Sequence, residues 1–437
     1  MVEVTQEGQP PLPIYSTPGL DSFSTITDGG ATRGMIAMDP SNMVVLSGNQ
    51  LVRVDTLGAV TTIGSITGSA YATMARNSAA VPQLVIVMDG QPFVVTNYIL
   101  APLVDADLPS PNSVFFLDQR LIFTIPDGRL FWTDLDAVTV NALSFATAEG
   151  APDGLIRGYG HRLDGWLFGA ETTEVWRATS NADSPFQRAG GGFIPKGCSA
   201  PFSVATIGET IYWVGNDDIP YSAPGYSLTP LVHGPVCRAI RDCTNKALIT
   251  GFSYYEGGYG FWELSGPGDD LDWTWVYCAT TQRWFEKQSY GMTRSREQFG
   301  VRFANANIVG DTTAAKLYKM NAASFDEAGN DMVMTLRSPP MHAYPNCISV
   351  DRLFVDCLVG NGDADSKIGV RWSDDGGHSF SRQRWAALGT DGAHQTRVNW
   401  NGLGSTREKG RIWELQISSN EIRGILYAAI EGDRIGT

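Results

Sequence analysis

The sequence predicts an all-β protein, an irregular β-propeller followed by a C-terminal antiparallel β-sandwich. Three observations predict it. Short apolar runs divided by turn residues recur at intervals of roughly 30–48 residues, the period at which propeller blades of about four short strands repeat. Glycine is abundant, at 48 residues, and aromatics make up 11% of the chain, a mixture of turn formers and strand formers. A proline-rich break then separates this pattern from longer strands that alternate.

The repeats come in order. Asn42-Met43-Val44-Val45-Leu46 is followed by the turn Ser47-Gly48-Asn49-Gln50 and by Leu51-Val52-Arg53-Val54, which reads as a hairpin. Leu84-Val85-Ile86-Val87-Met88 meets Asp89-Gly90 and returns as Phe93-Val94-Val95. Asp-Gly tolerates the positive φ that a tight hairpin demands. Val114-Phe115-Phe116-Leu117 and Leu121-Ile122-Phe123 flank a polar turn, and Asp127-Gly128 leads into Leu130-Phe131-Trp132. Further copies lie at Trp166-Leu167-Phe168, at Thr210-Ile211-Tyr212-Trp213-Val214, at Tyr259-Gly260-Phe261-Trp262 and at Ala306-Asn307-Ile308-Val309. A blade cannot bury its own faces, so blades pack on one another and the ring must close. Residues 1–335 are therefore read as one propeller-like domain of six or seven blades, with a sandwich of the same strands as the structural rival. Cys237 to Leu248 is the best helix candidate.

Three prolines in seven residues, Pro339, Pro340 and Pro345, predict an extended linker over 336–346. Beyond it Ser349 to Cys357, Lys367 to Trp372, Gln395 to Trp400, Arg411 to Ile417 and Gly424 to Ile430 alternate with period two. One polar and one apolar face predict a separate sandwich over 347–437.

Composition narrows the function. Charged residues are 18% of the chain, below the usual value of about 25%. A surface so poor in charge suits extensive burial against partners. The formal net charge of −14 argues against sequence-specific nucleic-acid binding, because phosphate contacts need Lys and Arg. The six cysteines form no Cys-x-x-Cys pair and are expected to be free thiols of a protein folded in a reducing cytoplasm. Met1 to Glu7 shows neither the basic region nor the apolar stretch of a signal peptide, and no run approaches the roughly 18–20 apolar residues of a membrane span.

Chemical motifs are few. There is no Gly-x-Ser-x-Gly elbow, no phosphate loop and no His-Glu-x-x-His. His161, His233, His342, His378 and His394 show no metal-ligand spacing. Asp217-Asp218, Asp269-Asp270-Asp272 and Asp363-Asp365 could supply the paired carboxylates of glycoside cleavage, yet each falls in a predicted turn, where Asp serves the backbone. Asp363 to Lys367 lacks the glycine of a calcium loop, with Ile368 in its place. Trp262, Trp273, Trp275 and Trp284 could form a sugar or base platform, and packing between blades is the expected use. The sharpest local motif is Ser373-Asp374-Asp375-Gly376-Gly377-His378-Ser379-Phe380, similar to the Asp-box of sialidases. In it Ser373, Asp375 and Gly377 are expected to build a hairpin turn that Phe380 anchors to the core.

Three stretches together resemble one family. The first is Tyr15 to Leu20. The second runs from Phe145 to Leu155, through Trp166-Leu167-Phe168-Gly169, Thr172 to Trp176 and Pro185-Phe186, to Gly197-Cys198-Ser199-Ala200-Pro201. The third is Trp372 to Gly377 with Val398-Asn399-Trp400 and Arg411-Ile412-Trp413. Over nearly the whole chain they are similar to the packaged-DNA stabilisation proteins, or tail accessory factors, of podoviruses. The resemblance implies a structural protein of the virion tail, assembled in the host cytoplasm, without cofactor or catalytic residue. It implies a homo-oligomeric ring, a hexamer, below the portal and its head-to-tail adaptor. That ring holds a tail needle or fibre and carries tailspikes, and it closes the portal channel on packaged DNA. No contact positions carry over. The family usually has a short segment ahead of the counterpart of Val2-Glu3-Val4-Thr5, so the first strand is expected to be incomplete or shifted. Two readings of other classes remain: a propeller glycosidase of sialidase type, and a glycan-binding tail adhesin.

Overall fold

The computed structural model describes residues 13–435, except Glu149, Pro152, Ser180, Ala182, Asp183 and Ala364. The expected first strand at Val2 to Thr5 lies outside the described residues, as do Glu149 and Pro152 of the second family stretch and Ala364 of the rejected calcium loop. The chain forms two compact units. One is Ser22–Lys319; the other joins Met1–Asp21 to Met320–Thr437.

The first unit is a ring of seven antiparallel blades, six of them four-stranded sheets. Their innermost strands are Thr32–Ala37, Thr73–Arg76, Ser113–Leu117, Leu155–His161, Ala205–Ile207, Thr250–Glu256 and Glu297–Phe303, in blades 1 to 7. Blade 7 takes its fourth strand from the N-terminal side, where Gly19–Thr25 lies beside Lys316–Asn321. The ring closes where Glu297–Phe303 packs on Thr32–Ala37, and Gln298 Nε2 donates to the Thr32 carbonyl at 2.6 Å.

The continuous apolar runs follow from this stacking. In blade 1, Met43 and Val45 pack with Ile308 and Leu317 of blade 7. Val44 and Leu46, one residue out of phase, pack with Leu84 and Ile86 of blade 2. A strand buried on both faces reads as an unbroken apolar run. The predicted turns also take their expected form. Asp89 and Gly90 have φ of 49° and 75°, and Asp118 and Gln119 have 48° and 61°, as a two-residue hairpin requires. The helix candidate is a helix over Gly234–Asp242, with Pro235 in its first turn, and a 3₁₀ turn over Lys246–Leu248. It buries Val236, Cys237 and Ile240. The six cysteines are free.

The second unit stacks two four-stranded sheets. One has the order Ile14–Tyr15, Gly424–Ile435, Cys347–Cys357, Val398–Asn401; the other has Met334–Arg337, Ile412–Ile417, Lys367–Ser373, Arg384–Ala387. Leu353, Val355 and Trp400 of the first sheet meet Ile368, Val370, Trp413 and Leu415 of the second in one core. The division between units differs from the one the prolines suggested. It falls after Lys319, not after residue 335, and Leu336 and Arg337 belong to a strand instead of a linker. Met334–Arg337 pairs with Ile412–Ile417 through Met334↔Ile417 to Arg337↔Glu414. The physical reason is that Pro339 and Pro340 follow this strand and end it, so its four residues can keep their ladder hydrogen bonds.

Candidate functional site: the sealed propeller axis

Three aromatic side chains meet across the axis of the ring. Tyr71 precedes the innermost strand of blade 2, Phe202 precedes that of blade 5, and Phe299 lies within that of blade 7. Their rings meet edge to face, with centroids 5.3 Å apart for Tyr71 and Phe202, 5.2 Å for Tyr71 and Phe299, and 6.4 Å for Phe202 and Phe299. Residues from widely separated blades touch only if nothing passes between them. Phe299 sits at a β-bulge between Gln298 and Gly300 with φ of 57°, a conformation that costs a bulky residue free energy. The bulge turns its ring towards the axis.

Arg157, on the innermost strand of blade 4, lies against this plug. Its guanidinium stacks on Phe202 at 5.1 Å and on Tyr159 at 5.7 Å, and its Nη1 donates to the Pro201 carbonyl. Burial lowers its pKa. A cavity of about 350 Å³ adjoins it, lined by the innermost strands of blades 2 to 4 together with Ile36 of blade 1.

Between blades 6 and 7 a charged cluster is buried. Lys287 Nζ donates to Glu263 Oε2 at 3.0 Å and to Glu297 Oε2. Glu263 is fully buried, and Lys287 and Glu297 nearly so. Burial first, and the neighbouring Glu297 second, push the Glu263 carboxyl up to about 8. Burial alone would lower the Lys287 ammonium, but the two carboxylates outweigh it and hold it above its ordinary value. One ammonium between two carboxyls in a dry site is satisfied when one carboxyl keeps its proton. An acid pair sealed between blades offers no access to a substrate.

The residues singled out in the sequence are spread over both units. Trp262, Trp273, Trp275 and Trp284 pack with blade 5 and the helix, and Trp262 also meets Tyr212 at 5.4 Å. Asp217 accepts from Lys196 Nζ at 2.8 Å and Tyr221 Oη at 2.7 Å, and Asp218 pairs with Lys246 at 3.2 Å. Asp269, Asp270 and Asp272 are exposed. Asp363 accepts from the Asp365 amide at 2.9 Å. Burial lowers the pKa of His161 and His233. Among the described residues no group of three or more His, Cys, Asp or Glu side chains is placed to hold a metal ion.

In the Asp-box-like turn, Ser373 Oγ donates to Asp375 Oδ1 at 2.7 Å and accepts from the Gly377 amide at 2.8 Å. Asp375 also accepts from the amides of His378 and Ser379, both at 3.0 Å, and from Ser379 Oγ at 2.6 Å. The Ser379 hydroxyl and amide, then the Ser373 hydroxyl, hold the Asp375 carboxyl well below its ordinary range. Phe380 does not enter the core as expected. It lies against the Arg371 and Arg337 guanidiniums at 4.7 and 5.4 Å. Both arginines are fixed by the buried Glu414, and their cationic faces take the ring.

The aromatic plug escaped sequence reasoning, because its three members are remote in the chain and carry no shared motif. Glu263 did leave a signal, as a lone charge inside Phe261-Trp262-Glu263-Leu264.

Residues 6–220 match the family described as "Bacteriophage P22 Gp10, beta-propeller". No curated protein matches. Among solved structures the chain is similar to the WD40 β-propeller domain of Doa1, at 11% identity over 69% of this chain and 96% of that one, with a TM-score of 0.44. It is similar to the RRP9 WD40 repeats at 10% identity, over 70% and 99%, with a TM-score of 0.43. The extracellular domain of the putative one-component system BT4673 from B. thetaiotaomicron gives 10% identity, over 89% and 54%, with a TM-score of 0.47. Likeness at this level carries no functional argument, and the seven blades stand on their own hydrogen-bonded sheets. Over residues 6–220 the chain belongs to the bacteriophage packaged-DNA stabilisation, or tail accessory, family of β-propeller proteins.

Proposed function

We propose that this protein is the tail hub of a short-tailed phage, a structural part that closes the portal channel after packaging and performs no catalysis. The family match over residues 6–220 carries this reading. In it, copies form a ring of six between the portal with its adaptor on one side and the needle and spikes on the other. The sealed axis supports the ring. Aromatic rings 5.2 to 6.4 Å apart leave no passage for a duplex whose major groove alone is about 12 Å wide. A DNA channel would therefore run between copies, which needs head-to-tail contacts that close. The net charge of −14 supports a wall that repels DNA and lets it slide. Stabilisation is then mechanical, and the protein resides in the virion tail after assembly in the host cytoplasm.

Particles assembled without the protein test this. They are expected to package DNA and then release it, seen as empty heads by electron microscopy and as nuclease-sensitive DNA. Stable, full heads without the protein would overturn the reading.

A further inference from the structure

The cavity beside the plug has an unusual charge for so acidic a chain. It is a well of about 350 Å³ on the propeller axis, lined by innermost strands, with the aromatic trio beside its Arg157 side. Two arginines line it, Arg157 and Arg76, and none of its lining residues is acidic. Neither arginine has a carboxylate partner among the ion pairs of the described residues. Arg157 Nε is buried without a hydrogen-bond partner. Its Nη1 is tied to the Pro201 carbonyl, and its faces rest on Phe202 and Tyr159. The guanidinium is thus held rigidly at the wall of the well. A fixed guanidinium at the wall of the well, without a carboxylate partner, is well matched to a planar or tetrahedral oxyanion. Asn77 and Ser78 at the same wall are anchored from behind, by Asn77 Nδ2 to the Asp136 carbonyl at 2.9 Å and the Ser78 amide to Asp136 Oδ1 at 3.1 Å. Those bonds hold the rim of the well near Arg76.

We propose that this axial well is a binding site for one small oxyanion, a carboxylate or a phosphate, held by Arg157 at its inner wall and by Arg76. The volume admits a free anion or a single acidic side chain, and it excludes a nucleic-acid duplex. Arg157 supplies the directional hydrogen bonds, and the exposed Arg76 supplies attraction that salt screens.

The test is calorimetric titration of the purified full chain at constant ionic strength with inorganic phosphate, acetate and N-acetylglutamate amide. Saturable one-to-one binding of at least one is expected. Phosphate alone assigns a phosphate site, acetate assigns a carboxylate site, and preference for the glutamate derivative over acetate assigns a side chain carried by a partner. Arg157→Gln is expected to weaken binding by about tenfold or more, and Arg157→Lys by less, since it keeps charge without the planar fork. Arg76→Gln sits at an exposed position, so it tests the site without risk to the fold. It is expected to weaken binding by a few fold and to flatten its salt dependence. No saturable binding of any of the three, or binding unchanged in both Arg157→Gln and Arg76→Gln, would overturn the proposal.

Discussion

The two units solve burial differently, and the strands show it. In the propeller the second strand of a blade is buried from its second residue on, as at Asn42–Ser47, because neighbouring blades cover both faces. In the second unit the long strand Cys347–Cys357 alternates, with Val350, Leu353, Val355 and Cys357 buried and Asp351, Arg352 and Asp356 exposed. The first pattern comes from stacking around a ring, the second from two sheets closing on a single core. Each arrangement also hides ions in its own way. The ring buries an ammonium between two carboxyls. The second unit buries Arg411 against Asp374, with Nε to Oδ1 at 2.7 Å and Nη2 to Oδ2 at 2.8 Å, and against the rings of Trp372 and Trp413.

The sharpest way to break the comparison is to empty one interface in each unit. Trp213 is fully buried between blades 4 and 5, 5.5 Å from Phe168 and 5.9 Å from Tyr221. Trp213→Ala is expected to cost about 3–5 kcal/mol. Trp413→Ala in the second core is expected to cost a similar amount. If the ring stands on mutual support, the first loss spreads beyond blades 4 and 5 to the blades that flank them, while the second stays within its two sheets. Hydrogen exchange read by mass spectrometry separates the outcomes. Protection lost from blades 4 and 5 alone after Trp213→Ala would show that the blades are independent.

The buried ions come next. Lys287→Met leaves Glu263 and Glu297 facing each other in a dry site, and removal of one partner from such a cluster costs about 3–5 kcal/mol. Arg411→Met leaves Asp374, whose side chain is 21% exposed and can recruit water, so the expected loss is smaller, about 1–3 kcal/mol. Urea unfolding of both variants, followed by the same exchange experiment, ranks them. Equal losses would show that hydration of Asp374 does not matter.

The units are also expected to respond to pH in opposite senses. The Glu263 carboxyl is raised from 4.5 to about 8 in the fold. A raised acid favours the folded state most where it is protonated, so this contribution is complete below 4.5 and fades as pH climbs through about 8. Lys287, Glu297, Tyr254 and Arg294 surround it, and burial lowers the Arg294 pKa. In the second unit Asp375 is depressed, so its contribution is present above 3.8 and is lost as pH falls. The thermal midpoint of the propeller is expected to decline as pH rises from 4.5 to about 8. Glu263→Gln is expected to flatten that decline. A slope unchanged by Glu263→Gln would place the titration elsewhere.

Much of this was legible, for identifiable reasons. Val44-Val45-Leu46 announces a strand covered on both sides, and Asp89-Gly90 announces its hairpin, because both signals are local. The alternation from Ser349 to Cys357 announces a half-covered sheet. What was hidden depends on distant residues. Nothing near Tyr71, Phe202 or Phe299 says that they meet, since ring closure alone brings them together. Lys287 looks like an ordinary surface lysine until blade 7 supplies Glu297. Met334–Arg337 was hidden by the prolines behind it, whose effect on a sheet depends on which N–H groups the sheet needs. In the Asp-box-like turn the hydrogen bonds were legible and the fate of Phe380 was not, because Arg337, and the Glu414 that fixes both arginines, come from two other strands.

That turn gives the finest comparison, since it is local structure set on the edge of the second unit's core. Ser373 is buried, and its hydroxyl serves both Asp375 Oδ1 and the Gly377 amide. Ser373→Ala removes both bonds and is expected to cost about 1 kcal/mol, the usual net worth of such contacts when other turn bonds persist. Asp375 still accepts from His378 and Ser379, so the hairpin should keep its shape. Exchange at the Gly377 amide should quicken, while Phe380 stays against Arg371 because Glu414, and not the turn, fixes that arginine. A loss as large as that of Arg411→Met would mean that the turn organises the neighbouring arginines, and that local and distant contacts in this unit are coupled as tightly as blades in a ring.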